Sequence, residues 1–325
     1  MTRILVTGAG GAAAVSFMRA VAGPDVTLFA ADIDPHAVGL YLVPEAHRVL
    51  LPRADHPAFG VALMTAASRL GVDVVVPTVD TELPIAAALT DAFRHHNIAV
   101  LVAPQAALAI CLDKAALMAT SDGIVPVPEW EVVDADFVPA HWALPVVVKP
   151  RSGAGGRGVR LIERAEDWDD VPRDGSLLLQ EWLPGEEYSV DVLCSREGVV
   201  VAAVPRLRMK VDSGVAVASR TVRDPELQGI ATALVEHLGL SFVSNVQLRR
   251  DRNGVPKLLE INPRFPGTMA LTVHSGVNMP ALAVDDLLGR NPPAPAPFVE
   301  CAMVRHWEEI YVPVSTFEVA SEAVA

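Results

Sequence analysis

The run VVVKP, closing on Lys149-Pro150, is followed by RSGAGGRG, eight residues of which four are glycine, and then at once by a second extended run, VRLI. No helix opens after the glycines, which separates this pattern from the GxxxxGK[ST] phosphate loop and from a Rossmann turn. It predicts a β-hairpin. Gly153, Gly155, Gly156 and Gly158 let the backbone approach a polyphosphate with its N–H groups turned inward, while Lys149 supplies a fixed positive charge at the base. A mobile exposed hairpin with an ordinary surface lysine is the plainer alternative.

The chain around this loop has 325 residues, enough for about two domains. With 51% hydrophobic and 20% charged residues it can bury a core, which excludes extended disorder. Its net charge of -13 gives no positive field to attract a polyanion, so nucleic acid is not an expected partner. The three cysteines, Cys111, Cys194 and Cys301, are scattered outside any CxxC pattern and read as reduced thiols. No run approaches the roughly 18 to 20 apolar residues that would span a bilayer. The N-terminal apolar stretch is broken by glycines, unlike a secretory signal. The expectation is a cytoplasmic protein with no membrane partner.

Residues 1–103 alternate short β-branched runs (ILVTG, VTLFAAD, HRVLLP, VDVVVP, IAVLVAP) with alanine- and leucine-rich helical stretches, the signature of a doubly wound parallel sheet. Residues 104–325 read instead as α+β with antiparallel strand pairs: VVVKP with VRLI, LLLQEW with EEYSVDVLC around LPG, and NVQLRRD with VPKLLEINP around Asn253-Gly254. A helix is expected from Asp224, its cap, to Gly239, its stop, with Leu227, Ile230, Ala231, Leu234, Val235 and Leu238 on its apolar stripe. Residues 289–297 form a proline-rich connector before a last strand, CAMVRHW.

Four further constellations can carry chemistry. Gly8, Gly10 and Gly11 follow the first strand, and Asp32 ends the next, which formally meets the dinucleotide fingerprint. A structural strand-to-helix turn meets it equally. In QEWLPGEEYSVDVLC, the break at Pro184-Gly185 leaves backbone groups able to read a purine edge and puts carboxylates near ribose hydroxyls; solvated edge-strand carboxylates are the alternative. Gln247 and Glu260 should lie nearly opposite around the Asn253-Gly254 hairpin, with Glu260, Asn262 and Arg264 two apart on one face. Such oxygen-bearing side chains suit magnesium, and Arg264 can brace a phosphoryl group. Asp80 and Glu82 follow the fourth strand, where open α/β sheets place ligands, and read either as receivers of a substrate ammonium or as helix caps. Arg206, Arg208 and Lys210 would then face phosphates and a substrate carboxylate, with Gly267 in the loop RFPGTMALTVHSG beside them.

Together, VTGAGG, PTVDTELP, LDKAALM, VVVKPRSGAGGRG, QEWLPGEEYSVD, NVQL and LLEINPRFPG resemble the ATP-grasp superfamily, and within it ligases related to one half of the carbamoyl-phosphate synthase large subunit. The resemblance implies a Rossmann-like pre-ATP-grasp domain at 1–103 and an ATP-grasp domain of two subdomains at 104–325, its lid at about 120–185. It implies that Lys114 and Lys149 hold ATP phosphates, with the loop glycines Gly153, Gly155 and Gly156. Glu181, Trp182 and Leu183 would line the adenine pocket and Glu187 would bind ribose. Gln247, Glu260 and Asn262 would coordinate Mg2+, or Mn2+ in its place, while Arg264 steadies the transferred phosphoryl. The implied activity is ATP-dependent carboxylate-amine ligation through an acylphosphate, with a small-molecule acid and amine, at least one an amino acid, as substrates. A homodimer is compatible with this. No second synthase half or glutaminase lies in the sequence, so a stand-alone ligase is expected. An NAD(P)-dependent oxidoreductase and an ATP-binding module without turnover are the competing readings.

Overall fold

In the computed structural model, residues 1–153, 155–290 and 296–317 are described. The first sheet has five parallel strands in the order β3-β2-β1-β4-β5: β1 Thr2–Val6, β2 Val26–Asp32, β3 Arg48–Leu50, β4 Val74–Val76 and β5 Ala99–Val100. Helices α1 (Ala12–Val21), α2 (Phe59–Leu70), α3 (Leu83–Ala88) and α4 (Thr90–His95) connect them. Successive side chains of a strand point to opposite faces, so Ile4 and Val6 join one apolar cluster with Phe17 and Met18 while Leu5 joins another with Phe59, Leu63 and Phe93. A sheet buried on both faces explains why these strands read as unbroken apolar runs.

After α5 (Gln105–Cys111) and α6 (Lys114–Ser121), four strands, β6 Trp130–Val133, β7 Val146–Pro150, β8 Arg160–Ile162 and β9 Leu177–Glu181, form an antiparallel sheet in the order β6-β9-β7-β8. A six-stranded antiparallel sheet, order β14-β13-β10-β11-β12-β15, follows: β10 Glu187–Cys194, β11 Val200–Asp212, β12 Val215–Thr221, β13 Phe242–Arg250, β14 Pro256–Asn262 and β15 Ala302–Val304. Helix α7 (Pro225–His237) covers one face, packing Leu227, Ala231, Leu234 and Val235 on Val190, Val192 and Val246. Asp224 caps it as expected, accepting from the N–H groups of Glu226 and Leu227. The other face meets the parallel-sheet region through α8 (Met269–His274) and α9 (Met279–Leu287), where Phe17 stacks edge-on to Phe265 with centroids 4.9 Å apart.

Two strand expectations fail. LLLQE and EEYSVDVLC do not pair: β9 pairs with β6 and β7, whereas β10 lies between β13 and β11. Pro184-Gly185 is therefore a crossover between sheets. Gly185 donates to the Arg250 carbonyl at 3.0 Å, so close that a Cβ there would stand 2.6 Å from that oxygen. The final strand is only Ala302–Val304, and within the proline-rich connector residues 291–295 lie outside the described residues. Among the described residues no helix is long and apolar enough to cross a membrane.

Candidate nucleotide-binding site

A cavity of about 600 Å3 opens between the two antiparallel sheets, within the range of small-molecule sites. From the four-stranded sheet and its crossover come Val147, Lys149, Gln180, Glu181, Trp182 and Leu183; from the six-stranded sheet come Glu187, Gln247, Glu260 and Asn262. The register of β13 and β14 sets Gln247 directly opposite Glu260 and Asn245 opposite Asn262. On that face the Asn262 amide donates to Glu260 Oε1 at 3.3 Å, and Arg264 Nη2 donates to Asn262 Oδ1 at 3.2 Å. The donors are oxygens of the kind a hard cation takes. Among the described residues no cluster of three or more His, Cys, Asp or Glu could hold a metal, so a cation here would complete its shell from phosphate and water.

The glycine loop forms the hairpin between β7 and β8. Gly153, Gly155, Gly156 and Gly158 all have positive φ, from 70° to 125°, where any other residue would be strained. Lys114, at the start of α6, donates through Nζ to the Gly153 carbonyl at 2.9 Å and lies 3.7 Å from Glu260 Oε2. Lys149 is 7% exposed and donates to the Leu259 carbonyl at 3.1 Å. Burial pushes its ammonium down to about 8, against the opposing pull of Glu260. Arg151 bridges to Asp113, the cap of α6, at 2.5 Å, tying the loop's base to the helix that carries Lys114.

Other expected residues are already paired. Glu181 bonds to Lys257 at 2.7 Å, and Glu187 to Arg208 at 2.7 Å. Arg206 is 1% exposed, and its Nε and Nη2 bind the two Asp191 oxygens at 2.9 and 2.6 Å; Lys210 points to solvent. Gly267 lines the cavity. Cys111 and Cys194 are buried, which pushes both thiols up to about 12 and leaves them inert.

Asp80 and Glu82 both have partners within the chain. Asp80 accepts two bonds of 2.7 Å from Arg264, so its charge is spent on fixing that guanidinium. Glu82 is 6% exposed and accepts from Thr7 Oγ1. Neither caps α3 through its side chain. Asp32 likewise has partners within the chain, accepting from the N–H groups of Gly10 and Asp34 at 2.7 and 2.9 Å, so the Gly10 N–H of the leading turn is already bonded.

Glu82 carries a pH-dependent signature. Burial, set against the Thr7 bond, raises its carboxyl to about 7. The unfolded chain then ionises first, so stability falls as pH rises from about 4.5 toward 7, by up to roughly 3 kcal/mol, and levels off above. Glu82→Gln, which keeps an acceptor for Thr7, should remove this slope and be the more stable protein at pH 8. Parallel urea titrations at pH 5 and pH 8 check it; an unchanged slope would reject it.

Sequence reasoning missed Gln180. It follows three leucines in β9, is 2% exposed, lines the cavity, and its side-chain oxygen has no partner among the described residues. An uncharged polar residue directly after an apolar run inside a strand was the available signal.

Residues 173–310 match the family described as "ATP-grasp in the biosynthetic pathway with Ter operon". A D-alanine–D-alanine ligase of Thermotoga petrophila is 32% identical over 106 residues, 31% of this chain and 35% of that protein. The chain thus matches about a third of that relative's length. A phosphoribosylamine–glycine ligase of Vibrio parahaemolyticus is 26% identical over 305 residues, covering 81% of this chain and 68% of its own. Among solved structures, a biotin carboxylase complex from Campylobacter jejuni superposes with a TM-score of 0.74 at 16% identity, covering 91% of this chain and 73% of that one. An N5-carboxyaminoimidazole synthetase from Staphylococcus aureus complexed with ADP gives 0.74 at 15% identity, over 91% and 80%.

Proposed function

We propose that this chain is a member of the ATP-grasp superfamily and an ATP-dependent carboxylate-amine ligase. The observation that carries the reading is the meeting of buried Lys149 with the oxygen-bearing row of Gln247, Glu260 and Asn262 in one cavity between two sheets, with buried Lys114 lining a small pocket beside it that shares Lys149 and Glu260. Residues 104–325 would hold the nucleotide, with the segment at about 120–185 as its lid, and residues 1–103 would complete the substrate end.

Adenine would lie against Trp182 and Leu183, with the Gln180 side chain at its edge, and Glu187 would meet the ribose. Lys114 and Lys149 would neutralise phosphate charge, and the loop glycines would offer their N–H groups to the same oxygens. Arg264, held by both oxygens of Asp80, would stand ready for charge on the transferred group at no cost of reorientation. Magnesium, held by Glu260, Asn262 and Gln247, would neutralise the triphosphate as charge develops. A substrate carboxylate oxygen bonds to the γ-phosphorus, the bond to ADP breaks, and an acylphosphate forms. The amine nitrogen then bonds to the acyl carbon, phosphate departs, and the nitrogen loses its proton. Positioning and electrostatics suffice, with no nucleophilic side chain.

Calorimetric titration with Mg-ATP tests the site. Binding at or below millimolar levels is expected, with slower hydrogen exchange in peptides spanning the glycine loop, whose backbone donors then gain phosphate partners. Absence of binding, or binding of NADH in its place, would refute it.

A further inference from the structure

The strand register lays Glu260, Gln247, Ser189, Arg206 and Thr221 side by side across five strands, and directly opposed residues share a sheet face. Arg206 lies three strands from Glu260, about 14 Å away at roughly 4.8 Å per strand. It is the one cation in that row, whose far end is Glu260.

Two nitrogens of Arg206 are spent on Asp191, and Asp191 is itself saturated, accepting also from Asn245 at 2.7 Å and Thr272 at 2.5 Å. The third nitrogen, Nη1, is buried with no partner among the described residues, and Arg206 lines the cavity. A second guanidinium reaches the same cavity wall from the far edge of the sheet, through its bond to Gly267. Arg305, just past β15, is anchored by its backbone N–H to the Val217 carbonyl at 2.8 Å and by Nη2 to the carbonyl of Gly267, another lining residue. Its Nε is also buried without a partner, and no carboxylate lies within ion-pairing distance among the described residues. Burial first, and the Arg206 charge second, hold its guanidinium below the usual range. Two guanidiniums at one cavity wall, of which only Arg206 has a carboxylate partner and each of which keeps a buried donor without one, call for an anion.

We propose that Arg206 Nη1 and Arg305 form a subsite for a second anionic group of the acid substrate, a carboxylate or phosphate other than the group that is activated. The acid is then at least a dianion. This rests on the ligase reading, from which it takes the identity of the phosphate end. Arg305 lies outside every motif recognised in the sequence.

The test is a thermal-shift titration at fixed ionic strength with inorganic phosphate, succinate and acetate, each alone and over a saturating non-hydrolysable Mg-ATP analogue that fills the lysine site. Phosphate or succinate should stabilise the wild-type protein where acetate does not, phosphate alone marking a phosphorylated acid and succinate alone a dicarboxylate. Arg305→Gln should weaken that apparent affinity about ten-fold or more, Arg305→Lys should retain part of it, and the analogue's own shift should persist in both. Equal responses to the three anions, or an undiminished response in Arg305→Gln, would overturn the subsite. A dianion response kept by a protein that ignores the nucleotide analogue supports the subsite and counts against the nucleotide assignment alone.

Discussion

Asp191→Ala should cost about 3–5 kcal/mol of folding stability, the range for removing one partner of a buried ion pair. Asp191 is fully buried and accepts from Arg206 Nε and Nη2, from the Asn245 amide and from the Thr272 hydroxyl. Deleting it strands four donors and leaves an uncompensated guanidinium at 1% exposure. Because Thr272 belongs to α8, the loss would also loosen that helix from the sheet. Asp191→Asn, which keeps the acceptor but not the charge, should cost less. Urea denaturation measures both; an Asp191→Ala unfolding free energy within about 1 kcal/mol of wild type would show that the network contributes little.

Glu260→Gln should lower turnover roughly 100-fold while leaving nucleotide affinity within a few-fold. Glu260 is the one carboxylate in the row with Gln247 and Asn262, and it faces Lys114 at 3.7 Å. A neutral amide of the same shape keeps the packing and loses the negative charge that anchors a divalent cation, whose effect is greatest as phosphoryl charge develops. Lys149→Ala should do the reverse, weakening nucleotide binding about ten-fold or more, since it removes a charge-assisted contact. Steady-state rates and calorimetry on the two variants separate these effects. Equal losses of affinity in both, with unchanged turnover at saturation, would reject the division of roles.

What was legible in the sequence was what local pattern controls. The parallel sheet followed from alternating apolar runs, α7 from its Asp224 cap and its stripe, and the pairing of Gln247 with Glu260 from the short Asn253-Gly254 hairpin. Each depends on neighbours a few residues away. Pairings fixed by tertiary contact were not legible. The LPG segment carries hairpin chemistry, yet Gly185 bonds to Arg250, 65 positions on, and so sends β10 into another sheet. Asp80 carries the pattern of a cap or ligand, yet Arg264, 184 positions away, takes both its oxygens. Arg206 showed as a basic residue in a strand, but nothing local marked Asp191, 15 positions away, as its partner.

The proposed reaction is phosphoryl transfer from ATP to a carboxylate, followed by amide formation. Its most direct measurement is product analysis after incubating the protein with Mg-ATP across a panel of acids and amino acids, resolving ADP, AMP and phosphate and weighing the condensed product. The expected result is ADP and phosphate in equal amounts, together with an amide whose mass is that of acid plus amine less water, and only when both substrates are present. AMP and pyrophosphate in their place, or hydride transfer to a nicotinamide with no ATP consumed, would contradict the account.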